Sequence, residues 1–412
     1  MAPDSPTPAP RRALSLRLVA AAAGSRLLVL VVGFAAAALG GRRDLPVGWR
    51  FPARAEALSG WPGHLVNPWA HWDGVWYVKI ATSGYAEADG STAFFPLLPL
   101  LLRYLGLLTG GNLVVAGMAL SLACFAGSVV LLHRLVAAEF DRGLADRAVL
   151  YLCLAPLSFF LQAVYTESLF LFLSLACVAA ARAGRFRLAG LAALLAALTR
   201  STGVLLFVPL AVYYWSQRGW DLRRTDRHVA NLLLPLEGLL VWMAYLALAF
   251  GKPLAFSTAQ AQWERFAAAP NYTVLRGAVA AAWGAVSLLS SEVLSRLWQT
   301  PQPGVSTTTA ATNVFNLVFL VAAGALLWYG ARRLPRAWSW YALASLVYPL
   351  CFPSKYVPLM SYPRFTLTVF PLFVCLALLT RDRPRWHLPV VVASLVLLVV
   401  LTARFAVFAW VS

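Results

Sequence analysis

From Leu18 to Leu39 charge interrupts the chain once, at Arg26, and apolar stretches of this kind return along nearly its whole length. About 20 apolar residues suffice to cross the hydrocarbon core of a bilayer as a helix. Inside lipid the backbone has to satisfy its own hydrogen bonds, which selects helices for runs of this length. Candidate spans fall at about 14–40, 113–137, 148–163, 168–182, 186–199, 203–216, 229–250, 309–330, 338–352, 363–380 and 388–410. The expected fold is therefore all-α, a polytopic transmembrane bundle of about eleven spans. Composition agrees with it. The chain is 60% hydrophobic and 12% charged, where soluble proteins carry roughly 25% charged residues.

The first apolar run exceeds the ~7–15 residues of a cleavable signal core, so it reads as a retained helix. Residues 1–13, rich in Pro, Ala and Ser, read as a disordered cytoplasmic tail. Residues 14–412 read as one transmembrane domain. The short pair 186–199 and 203–216 reads as a hairpin bent at Thr202-Gly203. Segments 93–109 and 275–290 are apolar but stand outside the count, as re-entrant or interfacial pieces.

The net charge of +18 has a topological reading. Arginine collects in short loops: Arg11, Arg12 and Arg17; Arg142 and Arg147; Arg182, Arg185 and Arg187; Arg218, Arg223, Arg224 and Arg227; Arg332, Arg333 and Arg336; Arg381, Arg383 and Arg385. Placing all of them in the cytoplasm gives one consistent alternation, with the N-terminus inside and the C-terminus outside. This is a multi-pass protein of the cell membrane, with outer loops at 41–112 and 251–308. No nucleic-acid-binding motif accompanies the charge, so nucleic acid is not an expected partner. The five cysteines lie in apolar stretches without a CxxC pair, and no HxxxH or paired-acid motif occurs. No cofactor is expected, and the sequence leaves a divalent metal open.

With this topology the unusual polar residues fall on one side. His71-Trp72-Asp73-Gly74-Val75-Trp76-Tyr77, then Gly84-Tyr85-Ala86-Glu87 and Ala93-Phe94-Phe95-Pro96, lie in the first outer loop. Tyr165-Thr166-Glu167-Ser168 lies between two spans, and Thr199-Arg200-Ser201 at the hairpin bend. Gln260, Gln262 and Trp263 lie in the second outer loop, with Lys355 and Ser361-Tyr362-Pro363-Arg364 before a later span. Asp73, between two tryptophans beside the membrane, is a candidate general base. Dipole complementarity also accounts for Glu167 at a span start. Arg200 at membrane depth costs about 2.5–3.5 kcal/mol unless it is paired or near water, which asks for an ion pair or a function. Arg200, Arg364 and Lys355 together suit a phosphate.

In order and spacing these motifs resemble the PIG-V mannosyltransferase family: His71-Trp72-Asp73, Gly84-Tyr85 with Glu87, Ala93-Phe94-Phe95-Pro96, Tyr165-Thr166-Glu167-Ser168-Leu169-Phe170, Thr199-Arg200-Ser201 with Gly203, and Pro363-Arg364-Phe365. The likeness runs from about residue 70 to 375. It departs from the pattern at His71, where a basic residue, often Arg, is expected, and it gives no match over 251–308. The resemblance implies a GT-C-like membrane glycosyltransferase with a large first outer loop. The implied reaction moves mannose from a polyprenyl-phosphate-mannose donor to a lipid, glycan or protein acceptor on the extracytoplasmic face, with inversion. It implies Asp73 as catalytic base. Trp72, Trp76, Tyr77, Tyr85, Glu87, Glu167 and Gln262 are then expected to bind substrate, and Arg200, Lys355 and Arg364 to hold the donor phosphate. Two other readings stay open from sequence: a transporter or lipid flippase without chemistry, and an enzyme of the same architecture using another lipid-linked sugar.

Overall fold

The computed structural model describes residues 16–40, 58–288 and 307–411. The expected tail at 1–13, residues 41–57 of the first loop and 289–306 of the second lie outside the described residues. Within them the chain is helical, its only bridge outside helices being the isolated pair Arg265–Ser354.

The long elements are α1 (Leu16–Leu39), α5 (Leu113–Glu139), α7 (Thr166–Arg182), α10 (Leu234–Phe250), α12 (Pro270–Leu288), α13 (Thr307–Gly330) and α17 (His387–Ala406). Between them sit α2 (Gly60–Val66), α3 (Asp73–Ser83), α4 (Leu97–Leu105), α6 (Arg142–Leu154), α8 (Phe186–Thr199), α9 (Phe207–Ser216), α11 (Ala255–Thr258), α14 (Arg336–Val347), α15 (Tyr362–Thr366) and α16 (Pro371–Asp382). Each expected span falls on one of these helices, on a helix with an adjoining turn or, for 363–380, on two helices. Among the described residues, four helices are long and apolar enough to cross a membrane alone: α1, α5, α13 and α17. The rest are shorter, broken or, like α12, less apolar. The 148–163 stretch is α6 followed by a turn at Ser158–Leu161, and 363–380 divides into α15 and α16. The 388–410 stretch ends as a helix at Ala406, and Phe408 then takes a φ of 61° that turns the chain back.

Capping fixes several boundaries. The Asn112 side chain accepts from Val115 N at 3.0 Å to start α5, and Asp141 accepts from Leu144 N at 2.8 Å to start α6. At the bend after α8, Gly203 lies so close to the backbone of Ala196 and Ala197 that a Cβ has no room, which lets the chain fold back at Arg200.

The two ends of the bundle differ in chemistry. At one end ion pairs join element termini: Arg182 with Glu139 (3.1 Å), Arg381 with Asp141 (3.1 Å), Arg333 with Asp382 (2.8 Å) and Arg218 with Asp226 (2.5 Å). The basic loops around residues 140, 182, 218, 333 and 381 are thus gathered together. At the opposite end the chain between α2 and α3 is drawn into the core. Trp69 is fully buried, its carbonyl accepts from Val164 N at 2.8 Å, and its ring lies against Gly33 of α1. A side chain at position 33 would drive its Cβ to 2.5 Å from the indole, an overpacking that costs about 1–3 kcal/mol.

Candidate active site

Asp73 is the first residue of α3, and its position is over-determined. Its backbone N–H donates to Tyr165 Oη at 3.2 Å, and that hydroxyl donates to His71 O at 2.9 Å. The His71 ring bonds through Nδ1 to Phe405 O at 3.1 Å. A carbonyl only accepts, so Nδ1 carries the hydrogen. Burial lowers the His71 pKa to about 4, against the opposing pull of that carbonyl, so the imidazole is neutral at pH 7. Trp72, between them, has φ 55° and ψ −122°, a conformation costly for a bulky residue. Its indole stacks on Phe408 with centroids 4.3 Å apart and meets Trp410 edge-on. The folded-back C-terminal stretch therefore forms a wall beside Asp73.

Two carboxylates and two guanidiniums interlock. Asp73 Oδ2 accepts from Arg364 Nη1 at 2.6 Å, with side chains 22% and 15% exposed. Glu167, in the first turn of α7 and 1% exposed, accepts through Oε1 from Arg200 Nη1 at 3.0 Å, and Arg364 Nε lies 3.4 Å from the same oxygen. Both acids stand in the first turn of a helix, the end where the backbone dipole complements an acidic side chain. Among the described residues, Glu167 Oε2 is buried without a hydrogen-bond partner. Such an orphan costs about 1–3 kcal/mol. Arg364 is set in place by Pro363, within the first turn of α15, and by Ser361, whose φ of 64° starts that helix.

These groups line a cavity of about 300 Å³ together with Trp72, Tyr77, Phe94, Tyr165, Gln260, Trp263, Arg265 and Trp410. Phe365 is its charge hub. The guanidinium carbons of Arg200, Arg265 and Arg364 stand 5.2, 5.7 and 5.7 Å from the centroid of that ring. Three cations held round one aromatic ring and two anions leave the cavity with a positive balance.

The structure thus brings Trp72, Asp73, Tyr77, Glu167, Arg200 and Arg364 to one cavity, and it places the other expected site residues elsewhere. Trp76 packs beside the lining, stacked on Phe94 and edge-on to Trp263. Tyr85 bonds to Phe94 O at 3.1 Å and packs on Trp242 and Tyr245. Glu87 pairs with Lys252 on the surface. Gln262 sits against the loop at Asp89-Gly90. Lys355 is exposed and lies over Tyr356. Gln262 sits in a 3-10 turn and Lys355 in a bend, and sequence does not give the direction of either side chain. Arg265 and Trp410 line the cavity without having stood out in any motif. A lone Arg in an unmatched loop and a Trp at the end of an apolar run carry no pattern of their own.

Comparison with known proteins places these elements. Residues 51–248 match the family model described as Mannosyltransferase (PIG-V). GPI mannosyltransferase 2 of Drosophila melanogaster is 30% identical over 203 residues, covering 45% of this chain and 44% of that protein. GPI alpha-1,6-mannosyltransferase 2 of Rattus norvegicus is 31% identical over 202 residues, covering 45% and 38%. The chain therefore spans less than half the length of these curated relatives. Among solved structures it is similar to the archaeal oligosaccharyltransferase AglB from Archaeoglobus fulgidus, in complex with an inhibitory peptide and a dolichol-phosphate. That likeness has 13% identity and a TM-score of 0.44, and covers 96% of this chain and 56% of that one. Through residues 51–248, which hold Asp73, Glu167 and Arg200, this multi-pass helical chain is similar to the PIG-V mannosyltransferase family.

Proposed function

We propose that the chain is a membrane mannosyltransferase that moves a mannosyl residue from a polyprenyl-phosphate-mannose donor to an acceptor hydroxyl at the extracytoplasmic face. One observation carries this reading. Two carboxylates at separate helix N-termini, and arginines from distant parts of the chain, converge on one cavity at the end of the bundle opposite the basic loops. The positive-inside rule assigns the basic end, and with it the N-terminus, to the cytoplasm. The cavity then opens outward, within reach of a lipid-linked sugar.

In this reading Asp73 takes the proton of the acceptor hydroxyl. Its Oδ2 is held by Arg364, and Oδ1 has no hydrogen bond among the described residues. As the acceptor oxygen bonds to the anomeric carbon, the bond from that carbon to the phosphate oxygen breaks. The phosphate leaves with the electron pair, and a single displacement inverts the configuration. The orphaned Oε2 of Glu167 receives a sugar hydroxyl, and Arg200 and Arg364 hold both carboxylates in place. The aromatic faces of Trp72 and Trp410 suit a sugar ring. A transport path is the weaker reading, since transporters gather their ionisable groups near mid-membrane, whereas these sit at one end of the bundle.

The test is transfer by purified protein in lipid nanodiscs, from radiolabelled polyprenyl-phosphate-mannose to membrane lipid or protein fractions. The expected result is labelled acceptor with inverted anomeric configuration and release of polyprenyl phosphate. Transfer from a different lipid-linked sugar in place of mannose overturns the donor assignment. Failure to transfer from any such donor overturns the enzymatic reading.

A further inference from the structure

We infer that Arg265 is the cation that receives the phosphate group of the lipid-linked donor, an inference that rests on the reading above. Arg265 lies beyond residues 51–248, the segment matched by the family model. Charge balance in the cavity singles it out. Arg200 is committed to Glu167, and Arg364 to Asp73 and Glu167, at 2.6–3.4 Å. Among the described residues no carboxylate lies within ion-pair distance of Arg265. Its guanidinium is held instead by neutral carbonyls, Nη1 to Phe352 O at 3.2 Å and Nη2 to Met360 O at 3.0 Å. Its remaining N–H donors are free for an anion.

The support beneath this group is stiff. Phe266 N donates to Pro353 O, Lys355 N to Glu264 O and Ala268 N to Cys351 O, at 3.0–3.1 Å. These bonds zip the loop carrying Arg265 to the segment just before α15, which carries Arg364. The guanidinium is thus aimed into the cavity before any ligand arrives, as a phosphate clamp requires. It also bears a cost in the unliganded state. Burial, with Arg364 and then Arg200 adding to it and Asp73 opposing, lowers its pKa to about 10. A phosphate removes that penalty, whereas a neutral sugar or polyprenol does not.

The ligand chemistry is a phosphate ester, presented by a lipid or free in solution, and binding can be read without turnover. The full-length chain in nanodiscs is titrated with short-chain polyprenyl monophosphate, with the matching polyprenol, and with inorganic phosphate as competitor. Arg265→Gln is expected to lose at least tenfold in polyprenyl phosphate affinity, while Arg276→Gln on the exposed face of α12 is unchanged. Competition by millimolar inorganic phosphate supports a headgroup-only contact. Polyprenol binding as tight as polyprenyl phosphate, or wild-type affinity in folded Arg265→Gln, overturns the proposal. Should Arg265→Gln fail to fold, arginine modification of the wild-type chain by phenylglyoxal decides. Polyprenyl phosphate, and not polyprenol, has to protect Arg265, and absence of protection overturns the assignment. Arg265-dependent phosphate binding without any sugar transfer removes the enzymatic reading alone. Transfer with an unchanged donor KM in Arg265→Gln removes this assignment alone.

Discussion

Asp73→Asn separates chemistry from architecture at this site. Asparagine keeps the size of the side chain and an oxygen for Arg364 Nη1, now 2.6 Å from Oδ2, and the anchor from the backbone N–H to Tyr165 Oη is untouched. Only the negative charge and the basic lone pair are lost. A positioned general base contributes about 10²–10⁴-fold, equivalent to about 3–5 kcal/mol of barrier at 1.36 kcal/mol per tenfold. The stability cost is smaller. Breaking a buried ion pair outright costs about 3–5 kcal/mol. Here Arg364 retains Glu167 at 3.4 Å, and both members of the broken pair are partly exposed. A loss of about 1–2 kcal/mol follows, visible as a few degrees in Tm. The assay is initial-rate mannosyl transfer with donor and acceptor varied separately, alongside thermal unfolding of the same preparation. The expected signature is kcat down by at least a hundredfold with donor KM within a few-fold. A folded variant that retains kcat within about threefold of wild type refutes the base role.

Three further outcomes are expected. Arg200→Gln removes the 3.0 Å partner of Glu167, which is 1% exposed, and leaves it only Arg364 at 3.4 Å; stability should fall by about 2–4 kcal/mol, and an unchanged Tm contradicts this. Tyr165→Phe removes a hydroxyl bonded to both Asp73 N and His71 O. At about 1 kcal/mol per bond, kcat should drop roughly tenfold with KM unmoved, and a pure KM effect argues against positioning of Asp73. His71 titrates near 4 when folded and near about 6.5 when unfolded. The unfolded chain then binds more protons between those values, so stability rises with pH across that window and is flat above it. His71→Asn should flatten the Tm slope between pH 4.5 and 6.5, and an unaltered slope refutes the assignment.

The helices were legible because lipid imposes a length and a composition on each crossing; α1, α5 and α13 coincide with their apolar runs within a few residues. The breaks were less so. Hydropathy does not see the kink that separates α15 from α16 or the reversal after Ala406, because both keep apolar side chains through a change of backbone direction. At the cavity, Asp73, Glu167, Arg200 and Arg364 were legible as polar exceptions in apolar surroundings. Arg265 was not, since one arginine in a polar loop costs nothing on the surface. Only the pairing of its loop with residues 351–355 carries it inward. Lys355 shows the converse: near Arg364 in sequence, it faces outward.

The backbone conformations ahead of Asp73 and Arg364 bear on how this protein could be diversified. Ser361, with φ 64° and ψ 11°, occupies the left-handed basin that glycine and asparagine enter readily, so a library at 361 should return both without loss of fold. Trp72, with φ 55° and ψ −122°, lies where only glycine is at ease, yet glycine there forfeits the indole stacked on Phe408. Position 72 is caught between those demands, and randomising it should return tryptophan almost alone.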